Sequence, residues 1–216
     1  MKIVAIDGPA GAGKSTVARQ LARELKVPYL DTGAMYRGVT FAAMQKGLSP
    51  DSVDEVGRLA RSVELIIGDA SLIVDGVDAT EAIRADDVTA AVSAVAANSQ
   101  VREELRTRQR EWVRRHGGGV VEGRDIGTVV FPEATLKVYL TASPLVRAKR
   151  RVEQNGGDVT TIAKSITERD RKDSTRADSP LREASGSVVI DTSDRTVEEV
   201  VAQLVELVNA AVTRHG

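Results

Sequence analysis

The chain contains no cysteine, which excludes disulfides, thiol catalysis and thiolate metal centres and is compatible with a reducing compartment. It has two histidines, His116 and His215, each beside a glycine. A histidine-centred metal or acid–base site is therefore not expected, and both read as exposed helix ends. No apolar run approaches the roughly 18 residues of a membrane-spanning helix. The opening MKIVAIDGPAG has too short an apolar stretch for a signal peptide and meets glycines at once. Neither sign of charge dominates. The formal net charge of −1 argues against a broad electrostatic surface for nucleic acid or anionic membrane. What remains is an ordinary globular composition, 42% hydrophobic and 28% charged over 216 residues, a length suited to one domain with small subdomains.

Ile3 to Ile6 form a β-branched apolar run that stops at Asp7-Gly8, the pattern of a buried parallel strand. A glycine loop follows, then a helix whose Val17, Leu21 and Leu25 recur every four residues. Pro28 to Asp31 read as a second strand and Met35 to Gln45 as a helix. Ser52 and Glu55 make a capping box for the next helix, with Val56, Leu59 and Val63 inward. From Glu64 to Val77 the period changes to two or three short antiparallel strands, with turns at Gly68-Asp69 and Asp75-Gly76. Helices follow at about 86–97 and 100–115, the second ended by Gly117 to Gly119. Strands resume at Val120-Val121, Leu136 to Leu140 and Ser187 to Ile190. Ser143-Pro144 opens a helix between the last two, residues 157–178 form a charged helical stretch, and Thr196 with Glu199 caps a C-terminal helix. Five short apolar strands alternating with helices imply a doubly wound parallel α/β sheet carrying an antiparallel insert.

Gly8-Pro9-Ala10-Gly11-Ala12-Gly13-Lys14-Ser15 fits G-x-x-x-x-G-K-[ST], and Thr16 follows. Such a loop wraps a phosphate with inward backbone N–H groups, and the new helix aims its positive end at the same anion. Lys14 then reaches the β- and γ-phosphates of ATP, and the Ser15 hydroxyl ligates magnesium. The strand before and the amphipathic helix after supply the context this P-loop requires. A regulatory GTPase would also need N-K-x-D and D-x-x-G elements, and neither is present. A small-molecule phosphotransferase needs arginines for an anionic acceptor instead.

Three segments offer them. Asp31-Thr32-Gly33-Ala34-Met35-Tyr36-Arg37 follows the second strand, where Arg37 could fork two hydrogen bonds to a phosphate; a helix cap with a surface arginine explains it equally. Val121-Glu122-Gly123-Arg124-Asp125-Ile126-Gly127 ends the third strand. There Glu122 could organise magnesium through water, and an Arg–Asp pair boxed by glycines is expensive to keep for packing alone. Thr167 to Arg176 is either a solvated helix, with Glu168 paired to Lys172 and Arg169 to Asp173, or a lid that folds cations over phosphates and excludes water.

GPAGAGKST, LDTGAMYR, VREELRTRQR, VEGRDIGTVVFP and ERDRKDSTR, in this order, resemble the bacterial cytidylate kinases, members of the nucleoside monophosphate kinase group. The resemblance spans nearly the whole chain, and GRDIGTVVFP is its most specific string. It implies a P-loop NTPase fold with core 1–32, 116–156 and 179–216, an acceptor-binding subdomain 33–115 and a lid 157–178. It implies transfer of the ATP γ-phosphoryl group to CMP or dCMP, with Mg2+, in a monomeric cytoplasmic enzyme without nucleic-acid or membrane partners. Thr32 stands where the family has a hydroxyl near cytosine, and Arg37 and Arg124 match its arginines for the CMP phosphate. Arg102 and Arg176 match residues near the base, with Asp125 beside them. Arg169 and Asp173 match lid residues reaching ribose or phosphates, and Ser93 matches a residue near the sugar. Lys14, Arg124, Arg169 and Arg176 would then carry catalysis. By analogy one of Arg147 and Arg151 stacks on adenine and the other touches ATP phosphates; a surface basic stripe with Lys149 and Arg150 explains the same spacing. The turn Thr192 to Arg195 falls where adenine rests in this fold.

Overall fold

The computed structural model describes residues 2–215, the side chains of Asn155, Arg214 and His215 excepted, so the reading of His215 lies outside the described residues. In chain order the elements are β1 (Lys2–Asp7), α1 (Lys14–Leu25), β2 (Tyr29–Asp31), α2 (Thr32–Gln45), α3 (Val53–Ser62), β3 (Leu65–Ile67), β4 (Leu72–Val74) and β5 (Val77–Asp78). There follow α4 (Asp86–Ala97), α5 (Ser99–His116), β6 (Gly118–Gly123), β7 (Leu136–Thr141), α6 (Pro144–Asn155), α7 (Val159–Thr175), β8 (Val188–Asp191) and α8 (Val197–His215). They form two compact units. One contains the chain up to Tyr29 and from Val113 onward, and the other is Leu30–Trp112.

The five-stranded parallel sheet has the order β2-β6-β1-β7-β8, with all of β6, β1, β7 and β8 in the first unit. The chain enters at the central strand, runs to one edge and returns, then crosses to the other side. That reversal makes the carboxyl ends of β1 and its neighbours a topological switch point, where open α/β sheets bind ligands. In register, Asp7 of β1 stands beside Gly123 of β6 and Tyr139 of β7. The β1 residues Val4 and Ile6 are buried among Val17 and Leu21 of α1, Leu204 and Val208 of α8, and Val138 and Leu140 of β7. Leu25 packs at the margin of this core.

The capping signals divide. At α8 the box closes: the Thr196 N–H donates to the Glu199 carboxylate at 2.9 Å and the Glu199 N–H to the Thr196 hydroxyl at 3.2 Å. At α6 the Ser143 hydroxyl accepts from the Val146 N–H at 3.3 Å, with Pro144 in the first turn. At α3 Ser52 is the N-cap residue, but its side chain makes no capping hydrogen bond, so the expected box is not formed. Of the three glycines after α5, only Gly117 lies outside regular structure. Gly118 and Gly119 pair with Lys2 and Ile3 and begin β6 two residues earlier than the sequence suggests.

In the second unit α2 begins at Thr32, because the Asp31 carboxylate accepts the Ala34 N–H at 2.9 Å and caps the helix there. Thr32 is therefore buried in a first turn and not on a loop. The change of period at residue 64 is a three-stranded antiparallel sheet, β3-β4-β5. Its β4–β5 connection is the two-residue hairpin Asp75-Gly76, both left-handed at φ 47° and 80°. The guanidinium of Arg108 closes the C-terminal end of α3, donating to the carbonyls of Val63 at 2.7 Å and Ala60 at 2.9 Å. Among the described residues no helix is long and apolar enough to cross a membrane.

Gly8 is where β1 must turn into the glycine loop. Its φ is 148°, and a Cβ there would lie 2.0 Å from the backbone oxygen of Leu140. Backbone cannot yield as a flexible side chain does, so Gly8→Ala is expected to lower unfolding free energy by about 2–4 kcal/mol. An unchanged urea midpoint for that variant would contradict this packing.

Candidate active site

Strand β1 delivers the chain to the loop Gly8–Gly13, and α1 starts at Lys14. The N-cap Gly13 is left-handed at φ 82° and provides no side-chain cap, and the first turn holds no acidic residue. The opening N–H groups of α1 are thus left for an anion. Lys14 is buried and its Nζ donates to the Pro9 carbonyl at 2.8 Å. Burial, and next to it the positive charge of Arg124, lowers its pKa to about 7; Arg169 pushes the same way against Glu122 and Asp7. Ser15 and Thr16 are exposed in the same first turn.

Asp7, the last residue of β1, received no role from the sequence, yet it ties the two sharpest motifs together. Its buried carboxylate accepts the N–H groups of Ile126 at 2.8 Å and Gly127 at 2.7 Å. Those amides open a single π-turn, Ile126–Val130, which the sequence pattern did not disclose. Asp7 therefore continues by side chain the pairing that β1 and β6 make by backbone as far as Gly123. Asp7 ends the apolar run Ile3 to Ile6 as Glu122 ends Val120-Val121, and that shared pattern is its signal in the sequence. Burial raises the Asp7 pKa to about 6, against the two amides that favour the anion.

Arg124, Asp125, Asp173 and Arg176 form one ion-paired group. Arg124 Nε donates to Asp173 at 2.9 Å, while Arg176 lies 3.6 Å from Asp125 and 3.9 Å from Asp173. Arg176 also donates to the Ser179 carbonyl. Burial disfavours charge on Arg124 and Asp173, but the opposite charges around them together outweigh it: Asp173 first, with Asp170 and Glu122, raises the Arg124 pKa, and Arg124 first, with Arg169 and Arg176, lowers that of Asp173. The expected Arg169–Asp173 pair is not made, because Arg124 and Arg176 occupy that carboxylate. Glu168 pairs chiefly with Arg171 at 2.7 Å and only loosely with Lys172 at 3.9 Å. Arg169 is crowded instead: burial first, then Arg124, lowers its pKa to about 10. Its buried Nε has no hydrogen-bond partner. A half-buried guanidinium near two further cations suits an anion with several oxygens. Glu122, 3% exposed, accepts the hydroxyl of Tyr29.

The arginines of α6 are not a surface stripe. Arg147 is buried, donating to the carbonyls of Ala142 and Ala10, both at 3.0 Å, and to Asp170 of α7 at 2.5 Å. Arg150 donates to the hydroxyl and carbonyl of Thr192, whose hydroxyl lies 3.2 Å from the Ala12 carbonyl. Arg147 thus holds the phosphate loop directly, and Arg150 does so through Thr192. Arg151 lies near enough to Arg169 to depress its pKa.

In the second unit Arg37 donates to the Ile83 carbonyl and the Thr89 hydroxyl, each at 2.8 Å. Ser93, partly buried, follows Thr89 by one turn of α4. Arg102, 1% exposed, donates to the Ala96 carbonyl at 3.0 Å and lies 5.4 Å from the Tyr36 ring centroid.

Among the described residues no group of three or more His, Cys, Asp or Glu side chains could hold a metal. The chain offers an exposed serine hydroxyl at the helix start, with the carboxylates of Glu122 and Asp7 near the adjacent Lys14. That donor set fits a magnesium arriving on a nucleotide, which keeps waters and phosphate oxygens as ligands.

Fold and site together define a P-loop phosphotransferase. A family model described as cytidylate kinase matches residues 4–210. A cytidylate kinase of Mycobacterium leprae (strain Br4923) is 46% identical over 211 residues, 95% of this chain and 95% of that protein. A bifunctional pantoate ligase/cytidylate kinase of Synechococcus sp. (strain RCC307) is 50% identical over 218 residues, 96% of this chain and 42% of that protein. The chain thus spans less than half of the two-function relative. Shikimate kinase from Acinetobacter baumannii, solved in complex with shikimate, shares the fold at a TM-score of 0.50 and 15% identity, covering 97% of this chain and 94% of that one. The chain belongs to the cytidylate kinase family.

Two titrations follow. Lys14 is largely neutral above about pH 7 until a phosphate restores its charge, so nucleotide binding at pH 8 should take up close to one proton. Affinity should then weaken as pH rises above 7; calorimetry in buffers of different ionisation enthalpy reads the uptake, and Lys14→Met should abolish it. For Asp7 the native pKa of about 6 lies above the ordinary 3.8. Its contribution to stability is full below about pH 4 and is lost as pH rises through 6. The urea midpoint of the native protein should therefore gain on that of Asp7→Asn as pH falls from 7 to 4, and parallel curves would refute it.

Proposed function

We infer that the chain transfers the γ-phosphoryl group of ATP to CMP, and also to dCMP, giving ADP with CDP or dCDP. The observation that carries this is Lys14 of the phosphate loop buried in the company of Arg124 and Arg169, in a chain of the cytidylate kinase family. An oxygen of the acceptor phosphate attacks the γ-phosphorus in line, and the bond to the β–γ bridging oxygen breaks. That attacking oxygen is already ionised at neutral pH, so no general base is required. Its absence suits a site without histidine, His116 being exposed at the end of α5.

The residues then divide by role. Gly8 to Thr16 hold the donor phosphates, Lys14 bridging the β- and γ-groups. Magnesium, when bound through the Ser15 hydroxyl and by way of water to Glu122, neutralises phosphate charge. Arg169 meets the transferring group, and Arg124 and Arg37 take the acceptor phosphate. Thr32, Ser93, Arg102, Asp125, Asp173 and Arg176 serve base and ribose. Cytosine presents acceptors at O2 and N3 and a donor amino group, which arginines, a hydroxyl and one carboxylate complement. The N3 donor of uracil would meet an arginine, an unpaired clash of roughly 2–4 kcal/mol. Of the α6 arginines, Arg151 is the one proposed for ATP, since Arg147 and Arg150 are spent on the loop and on Thr192. The same reading makes the enzyme monomeric and cytosolic, with nucleotides and neither nucleic acid nor membrane as partners, in keeping with its near-zero net charge.

ADP release measured with CMP, dCMP, UMP, AMP, GMP and shikimate tests the substrate. Strong stimulation by CMP and dCMP is expected, and stimulation by shikimate or AMP with none by CMP ends the cytidylate reading. Lys14→Met should lower kcat by about a hundredfold or more; a loss of only a few-fold would sink the mechanism.

A further inference from the structure

The pairing of Asp170 with Arg147 has no part in the roles above. Asp170 sits on α7 between Glu168 and Arg171, which face solvent. Its own side chain is only 22% exposed, and that of Arg147 6%. One Asp170 oxygen meets Arg147 Nη1 at 2.5 Å, and the other accepts the Ala10 N–H over a longer 3.4 Å. The same Nη1 donates to the Ala10 carbonyl at 3.0 Å, while Arg147 Nε is anchored on Ala142. Both polar groups of one phosphate-loop residue are thus gripped by a single carboxylate–guanidinium pair. Nothing flexible lies between: a Cβ on the next residue, Gly11, would stand 3.0 Å from the Arg147 Cβ.

The grip has a direct consequence for Arg169. Successive residues on an α-helix point about 100° apart, so fixing Asp170 against the loop fixes the direction in which Arg169 leaves α7. That direction brings it close to Lys14 and Arg124, as their mutual effects show. Arg124 and Arg169 repel each other there, and Lys14 adds to this when it is charged, which favours withdrawal of α7 whenever no phosphate is bound. Asp173 is engaged with Arg124 and Arg176, which leaves the Asp170 bracket as the tie between α7 and the loop itself.

We propose that Asp170 and Arg147 are positioning residues for phosphoryl transfer, a latch by which the phosphate loop sets where the lid helix presents Arg169. This rests on the phosphotransferase reading for its kinetic arm only. The latch also assigns Arg147 a target other than nucleotide: the peptide of Ala10.

The test compares Asp170→Asn, Arg147→Lys and the double variant with the unmodified enzyme. Asp170→Asn should lower kcat per folded molecule by about tenfold or more while the KM values for ATP and CMP move less than about threefold. In the nucleotide-free protein, amide exchange across Val159–Thr175 should quicken by about fivefold or more, with the Lys14–Leu25 helix unaffected. The double variant should lose little more than the worse single one, because both break one bracket. Arg147→Lys gives the same readouts should Asp170→Asn fail to fold. A kcat or an α7 exchange rate within about twofold of the unmodified protein overturns the latch, as does a fall in melting temperature with kcat per folded molecule unchanged. If the enzyme phosphorylates no CMP at all, the substrate reading falls, and the exchange of α7 without nucleotide still decides the latch.

Discussion

Lys14, buried, and Arg124 and Arg169, half-buried, are held near one another, and their mutual repulsion is what the neighbouring groups have to contain. Burial already disfavours each charge, and proximity adds to it, which is why the lysine sits near neutrality and one arginine well below its ordinary range. The containment comes from carboxylates that do not cancel the cations outright. Asp173 is shared between two arginines, Asp125 lies 3.6 Å from Arg176, and Asp7 and Glu122 are turned to an amide pair and a phenol. The result is a positive field organised before any anion arrives, so little reorganisation is left for the moment of reaction.

Main chain does as much as side chain in keeping that field in place. The carboxyl ends of β1 and β6 lie in register, and Asp7 extends their pairing into the π-turn after Asp125. Thr192, braced by Arg150, reaches the loop at Ala12 from the end of β8, and Arg147 reaches it at Ala10 from α6. A loop built largely from glycine and alanine has few side chains with which to hold itself. Its rigidity is lent by residues distant in sequence.

How much of this could be read from residue order follows from the range of each interaction. Local signals carried furthest: the Thr196–Glu199 box, the Ser143–Pro144 start and the Asp75-Gly76 hairpin depend on neighbours within a few positions. The phosphate loop was legible because strand, glycines and helix are contiguous. Ser52 and Glu55 show the limit, since a fitting spacing did not compel the hydrogen bonds. Arg147 shows the larger one. Its helical spacing fitted a contact with ATP and a surface stripe equally, and only partners 23 and 137 residues away make it a buried brace. The preference of Asp173 for Arg124 over Arg169 is likewise a matter of which arginine the sheet delivers, information no helix spacing contains.

The first helix is left unfinished at its beginning, with a left-handed glycine as its cap residue and no side chain to satisfy the amides that follow. In most helices that debt is met within the chain; here it is deferred to a visitor. The folded state is consequently incomplete by itself, and its endurance depends on the supply of nucleotide. A ligand at a hundred times its dissociation constant adds about 2.7 kcal/mol of stability, a sizeable share of what a domain this size possesses.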